Sequence, residues 1–203
     1  MRKVIFTILL MAWAMGMTAQ NANQKARMKE IRETYAKALE LIKMGQEEIH
    51  MDCSMHITTR RNVAGIGVQD HRIDFFCEDQ SDEETGVAEV SPYLIRAHYN
   101  VAARQFSNEY LMHDDYPIFI YLVGDDSIIS GKDVDMKDGK CEVRLYFNED
   151  GSLCYGYSQV RYPDGKTEII ETSYDAESDV VLEHLKTAGQ YMHILNQTMN
   201  YND

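Results

Sequence analysis

Between Met51 and Ser173 apolar residues recur at every second position, in short runs separated by turn residues, and this period of two restricts the fold more than any other feature of the chain. Side chains that alternate in this way give an extended segment one face for a core and one for water. Met51, Cys53, Met55 and Ile57 alternate with Asp52, Ser54, His56 and Thr58. After a small-residue stretch holding Gly65 and Gly67, His71, Ile73, Phe75 and Cys77 do the same, which predicts a first hairpin. Further strands are expected over 93–101, 106–112, 118–123, 141–147, 153–157 and 167–173, with 118–123 a nearly continuous apolar run. Asn148-Glu149-Asp150-Gly151 and Pro163-Asp164-Gly165 fall between such runs, and Asp-Gly there is a hairpin signal. A weak likeness between the segments 112–118 and 147–153 is too irregular in spacing for a repeat array and fits successive hairpins of one meander.

The period changes to that of a helix on both sides of this region. From Asn23 to Glu48, Met28, Ile31, Tyr35, Leu39 and Ile42 form one apolar stripe, with charged residues opposite. After Asp175, Val181, Leu185, Ala188, Met192, Leu195 and Met199 step by four and three, with Ser178 placed to cap the helix and Asp179 in its first turn. The expected fold is therefore α+β: an N-terminal helix, an antiparallel β-meander of about seven or eight strands forming a curved sheet or partly open barrel, and a C-terminal helix packed on it. Both helices are expected on one side, leaving a concave or edge surface free for a ligand. The stripe Val181, Leu185, Ala188, Met192, Leu195 also has a second reading, as the seam of a homodimer.

Arg2 and Lys3 precede an apolar run from Val4 to Met17 that ends in Thr18-Ala19, the layout of a secretory leader. The run is shorter than the roughly 20 residues a membrane span needs. Cleavage is expected after Ala19, dividing the chain into a signal peptide, 1–19, and a single α+β domain, 20–203, exported to the periplasm or beyond and without an integral membrane span. Trp13, the one tryptophan, would leave with the leader, removing the largest platform for stacking a sugar. With 20 Lys and Arg against 33 Asp and Glu, the formal charge of −13 disfavours nucleic acid and anionic membrane surfaces as partners.

Motifs that would announce a chemistry are mostly missing. No His-x-x-x-His or Cys-x-x-Cys occurs, and in the acidic loop 133–139 Lys137 occupies a position where a calcium loop needs a ligand, so no metal or other cofactor is expected. Gly65-Ile66-Gly67 lacks the third glycine of a dinucleotide fingerprint, and the next segment reads as a strand. Tyr162 and Lys166 straddle a turn, and no Gly-x-Ser-x-Gly elbow is present. Cys53 and Cys77 are equidistant from Gly65, which makes them opposite one another in the first hairpin and the best disulfide pair, with two free thiols as the alternative. Cys141 and Cys154 should face opposite ways.

The Thr-Ala-Gln end of the leader, the charged helix that follows and the phrase Glu109-Tyr110-Leu111-Met112-His113-Asp114 resemble exported proteins of gut Bacteroidota. The resemblance implies a periplasmic or secreted location and an α+β fold, and it brings no catalytic residue with it. Asp126-Ser127-Ile128 is similar to the O-glycosylation acceptor of that group, which makes Ser127 a modification site if its loop is exposed. The function expected on these grounds is a non-enzymatic binding or interaction module for a protein, peptide or small-molecule ligand. The alternatives are a small glycan hydrolase using carboxylates such as Glu109, Asp114 or Asp115, and a homodimeric scaffold.

Overall fold

The structure, a computed structural model, describes residues 2–49, 53–79 and 90–199. Helix α1 runs Arg2–Glu48 and is followed by strands β1 (Met55–Val63), β2 (Gly67–Asp79), β3 (Val90–Val101), β4 (Arg104–His113) and β5 (Tyr116–Gly124). After a 3₁₀ turn at Ser127–Ser130 come β6 (Lys140–Phe147), β7 (Leu153–Arg161), β8 (Thr167–Glu171) and helix α2 (Asp179–Met199). The eight strands pair in chain order, each antiparallel to the next, so the sheet is one open meander. Met51 and Asp52, where the alternation begins in the sequence, lie outside the described residues.

The two helices lie on opposite faces of the sheet rather than on one. The rows of paired residues show why: Phe75, Ile95, Tyr110, Ile120 and Leu145 are cross-strand neighbours, and so are Phe76, Leu94, Leu111, Phe119 and Tyr146. Consecutive residues of a strand point to opposite faces, so these two buried rows need two separate covers. α2 packs on the first through Val181, Ala188, Met192 and Leu195; α1 packs on the second through Ile31, Ala38 and Ile42. The stripe of α1 turns on Ala38, 4 % exposed, in place of Leu39, which stands 37 % exposed.

Beside the aromatic row under α1 runs a polar one: Asp74, Arg96, Glu109, Tyr121, Arg144 and Tyr157 are successive partners across six strands. Charges of opposite sign stand side by side in it, which favours this register over a slip by one residue. Arg96 Nε meets Glu109 Oε1 at 2.6 Å, and the same carboxylate accepts a hydrogen bond from Tyr35 of α1.

Further expected features change in the folded chain. The hairpin register is the expected one, with Val63 opposite Gly67 and Met55 opposite Phe75, but Cys53 and Cys77 form no bridge. A bend at Ser54 ends the alternation: Ser54 Oγ accepts from the Cys77 N–H at 2.9 Å, while Cys53 turns to the α1 face, its thiol 3.6 Å from Asp74. Cys77 packs with the core under α2, so the two sulfurs sit on opposite faces. Cys141 and Cys154 are divided between the two cores as well, as the sequence indicated.

Ser127 is only 3 % exposed, its hydroxyl donating to Val134 O and accepting from Val134 N–H, so the folded chain does not offer it for glycosylation. The proposed dimer stripe is also committed within the chain: Val181, Ala188, Met192 and Leu195 are buried in the domain's own core and Leu185 packs half-buried against it. The Ser178 hydroxyl, expected to cap α2, has no hydrogen-bond partner, although Ser178 O accepts the first helical bond from Leu182.

Two outcomes follow. Leu195→Ala, at a site 1 % exposed, should lower unfolding free energy by about 2–5 kcal/mol in urea titrations, whereas Leu182→Ala, 52 % exposed, should stay within about 0.5 kcal/mol. Thiol titration of the unreduced protein in denaturant should find Cys53, Cys77, Cys141 and Cys154 all reactive.

Candidate functional site

α2 covers a band of its face and stops short of the β1–β2 hairpin, and the space between is a cleft with two compartments. The inner compartment, about 260 Å³, lies between His184, Thr187 and Tyr191 of α2 and His71, Tyr99 and Asn108 of the sheet. The outer one, about 710 Å³, is a more open groove along Ile57 and Ile73 on the sheet side and Gly189 and Ile194 on the helix side. Arg61, His71 and Tyr191 border both, so the compartments adjoin.

Asn108 is the residue most out of character with its surroundings. Its cross-strand neighbours are Ala97 and Leu122, and Ile73 and Val143 complete that row. The amide is 3 % exposed; its Nδ2 reaches the Tyr99 hydroxyl at 3.5 Å, and its Oδ1 has no donor. A buried carbonyl oxygen left without a partner costs on the order of 1–3 kcal/mol, so its place at the wall of a cavity calls for a group that donates to it.

Aromatic rings hold this wall in position. Tyr99 stacks on Phe106 with centroids 5.1 Å apart, His71 meets Tyr99 edge-on at 5.7 Å, and Tyr110 meets Tyr191 edge-on at 5.6 Å. The Tyr191 hydroxyl lies 3.3 Å from His71 Nε2, and the Tyr110 hydroxyl 3.0 Å from His184 Nδ1. Burial pushes His184 down to about 4 and the Tyr110 phenol well above its ordinary range, so both are neutral at pH 7. With the bridging proton assigned to the phenol, His184 carries its own proton on Nε2 and presents a donor to the cavity it lines. Burial, then the charge of Arg61, lowers His71 too. The inner compartment thus pairs a neutral donor with an unmet acceptor.

The carboxylates considered for hydrolysis are not assembled here. Glu109 faces α1 and is held by Arg96 and Tyr35, while Asp114 and Asp115 form the exposed β4–β5 turn, roughly 16 Å along the strand from Glu109. Asp70, at the rim of the cleft, is held below the usual carboxylate range by its hydrogen bond from Arg60. Among the described residues no group of three or more His, Cys, Asp or Glu side chains is placed to hold a metal ion, and no helix is long and apolar enough to cross a membrane.

His184 and Tyr191 fall outside the apolar stripe expected for α2, yet they share the spacing of Ala188 and Leu195 on its inner face. A histidine and a tyrosine at core positions of a helix are the signal that was there to be used.

Since unfolded His184 titrates near 6.5 and the folded residue near 4, the unfolded chain binds more protons in this window. Stability should fall as pH drops from 6.5 to 4, by roughly 3 kcal/mol at the lower end. His184→Gln should remove that share of the slope in denaturant titrations at a series of pH values, leaving the smaller shares of His71 and His98, whose shifts have the same sign. Comparison with protein-family models, with curated proteins and with solved structures finds no match to this chain.

Proposed function

We propose that the chain is an exported, non-enzymatic binding module that takes up a small amphipathic molecule in the cleft under α2. The polar end of that molecule carries an N–H or O–H that donates to Asn108 Oδ1, and its apolar body lies in the groove along Ile57, Ile73 and Ile194. The observation that carries this reading is the unpartnered, 3 % exposed Asn108 amide at the cavity wall. A module of this kind keeps a few placed polar groups in an otherwise apolar pocket, and those groups lower the stability of the empty protein. Export is supported by Arg2, Lys3 and the apolar run from Val4 to Met17.

Titration with N-phenyl-1-naphthylamine, a fluorescent probe with one N–H donor on an apolar body, tests the reading. Saturable fluorescence enhancement is expected. Asn108→Leu should weaken it by about tenfold or more while raising unfolding free energy by about 1 kcal/mol. Gly189→Leu supports a similar comparison: the glycine has nothing within 4 Å of the position its Cβ would take, so the new side chain extends into the groove. It should block the probe yet stabilise α2 by roughly 0.5–1 kcal/mol, because a helical glycine is removed. Probe affinity unchanged in both variants would overturn the assignment.

A further inference from the structure

The opposite face of the sheet holds another, partly open cavity, independent of the cleft under α2. Ile31, Arg32 and Tyr35 of α1 stand over Phe119, Tyr121, Arg144 and Tyr146 of β5 and β6, and the cavity among them measures about 120 Å³. Two guanidinium groups border it, in a chain whose formal charge is −13.

Arg144 lies against two tyrosine rings, its Cζ 5.0 Å from the centroid of Tyr121 and 6.0 Å from that of Tyr157. Its Nη1 donates to the Tyr157 hydroxyl at 3.2 Å and its Nη2 reaches Glu142 at 3.4 Å, but its Nε–H is buried with no acceptor. Glu142 is not free to turn towards it. That carboxylate is 3 % exposed, takes Arg161 on both oxygens at 2.9 and 3.1 Å, and also accepts from Tyr121 and Gln159. Arg32 stands 5.6 Å from the centroid of the Tyr146 ring and donates to its hydroxyl at 3.4 Å, with no carboxylate partner among the described residues. The site therefore has a surplus of positive charge and an unfilled N–H on the edge of a guanidinium that its aromatic neighbours hold in place.

We propose that this cavity binds a small organic monocarboxylate, its oxygens on Arg144 Nε–H and the Arg32 guanidinium and its apolar body against Ile31 and Phe119. The planar guanidinium edge matches a carboxylate, and charge-assisted bonds of this kind are among the stronger ones a protein makes. Inorganic phosphate fits the walls poorly, since aliphatic and aromatic surfaces offer nothing in exchange for the hydration that a dianion would lose.

Benzoate is a suitable probe, titrated against the full chain at pH 7 by calorimetry and by NMR, with methyl benzoate as a neutral analogue that has no N–H or O–H for the other cleft, and inorganic phosphate as an anion without an apolar body. Saturable binding of benzoate alone is expected. Arg144→Lys keeps the charge but removes the Nε–H, and Arg32→Gln changes an exposed helix position and leaves the fold intact. Each should weaken benzoate by about tenfold or more, while Asn108→Leu in the other cleft leaves it unchanged. If Arg144→Lys does not fold, Arg32→Gln decides. The proposal is overturned if benzoate gives no saturable response up to about 20 mM, if methyl benzoate or phosphate binds equally well, or if Arg32→Gln or a folded Arg144→Lys binds like the unmodified chain.

Discussion

Neighbouring residues along the central strands are both buried, and the rest of the architecture depends on this. Leu94 and Ile95, Tyr110 and Leu111, Phe119 and Ile120, Leu145 and Tyr146 each send one side chain to either face. A sheet patterned in this way cannot leave one face in water, so the chain supplies a helix from each end, one per face. A helix is only about 10 Å across, whereas a strand of nine residues extends about 30 Å. Each helix thus covers a band of its face, and the chemistry of the molecule lies in what remains beside the band.

The two remainders differ in kind. Beside α1 the sheet carries the row from Asp74 to Tyr157, where charged groups are joined laterally by Arg96–Glu109 and by the shared Glu142. Beside α2 the apolar and aromatic surface of the core gives way to Asn108, to two histidines whose burial keeps them uncharged at neutral pH, and to polar groups such as Arg61, Glu183 and Thr187. The same strands build both, because a period of two allows one segment to carry a polar programme and an apolar programme on alternate residues.

That period was legible, and with it the strand count, the hairpin order and the centre of the first hairpin at Gly65. The run 118–123 already held the sign of burial on both faces, since a strand with one wet face has no reason to place Ile118, Phe119 and Ile120 in succession. Taking it as one strand among several hid the need for a helix on each side. The Cys53–Cys77 pairing failed for a more local reason. Register was right, but a single bend at Ser54 turns Cys53 to the α1 face, and a serine in such a bend has no strong sequence signal. Ser127 shows the same limit: an acidic loop reads as exposed, yet its hydroxyl satisfies both backbone groups of Val134 and lies inside. Neither bordering group of the two cavities was legible, because Asn108 and Arg144 acquire their meaning from residues far away in the chain that surround them.

These two groups are unsatisfied in opposite senses. Asn108 Oδ1 lacks a donor and Arg144 Nε lacks an acceptor, and the thickness of the sheet stands between them. No rearrangement of the folded chain lets one satisfy the other. Natural sequences tolerate such groups where something outside the chain completes them, since replacing either with an apolar residue would otherwise be the simpler route to stability. Because the two demands are complementary in sign, a single ligand class does not meet both: a molecule that donates suits the cleft under α2, and an anion suits the cavity under α1. With the two binding roles proposed above, the fold acts as a partition, one sheet holding two unlike recognition surfaces apart.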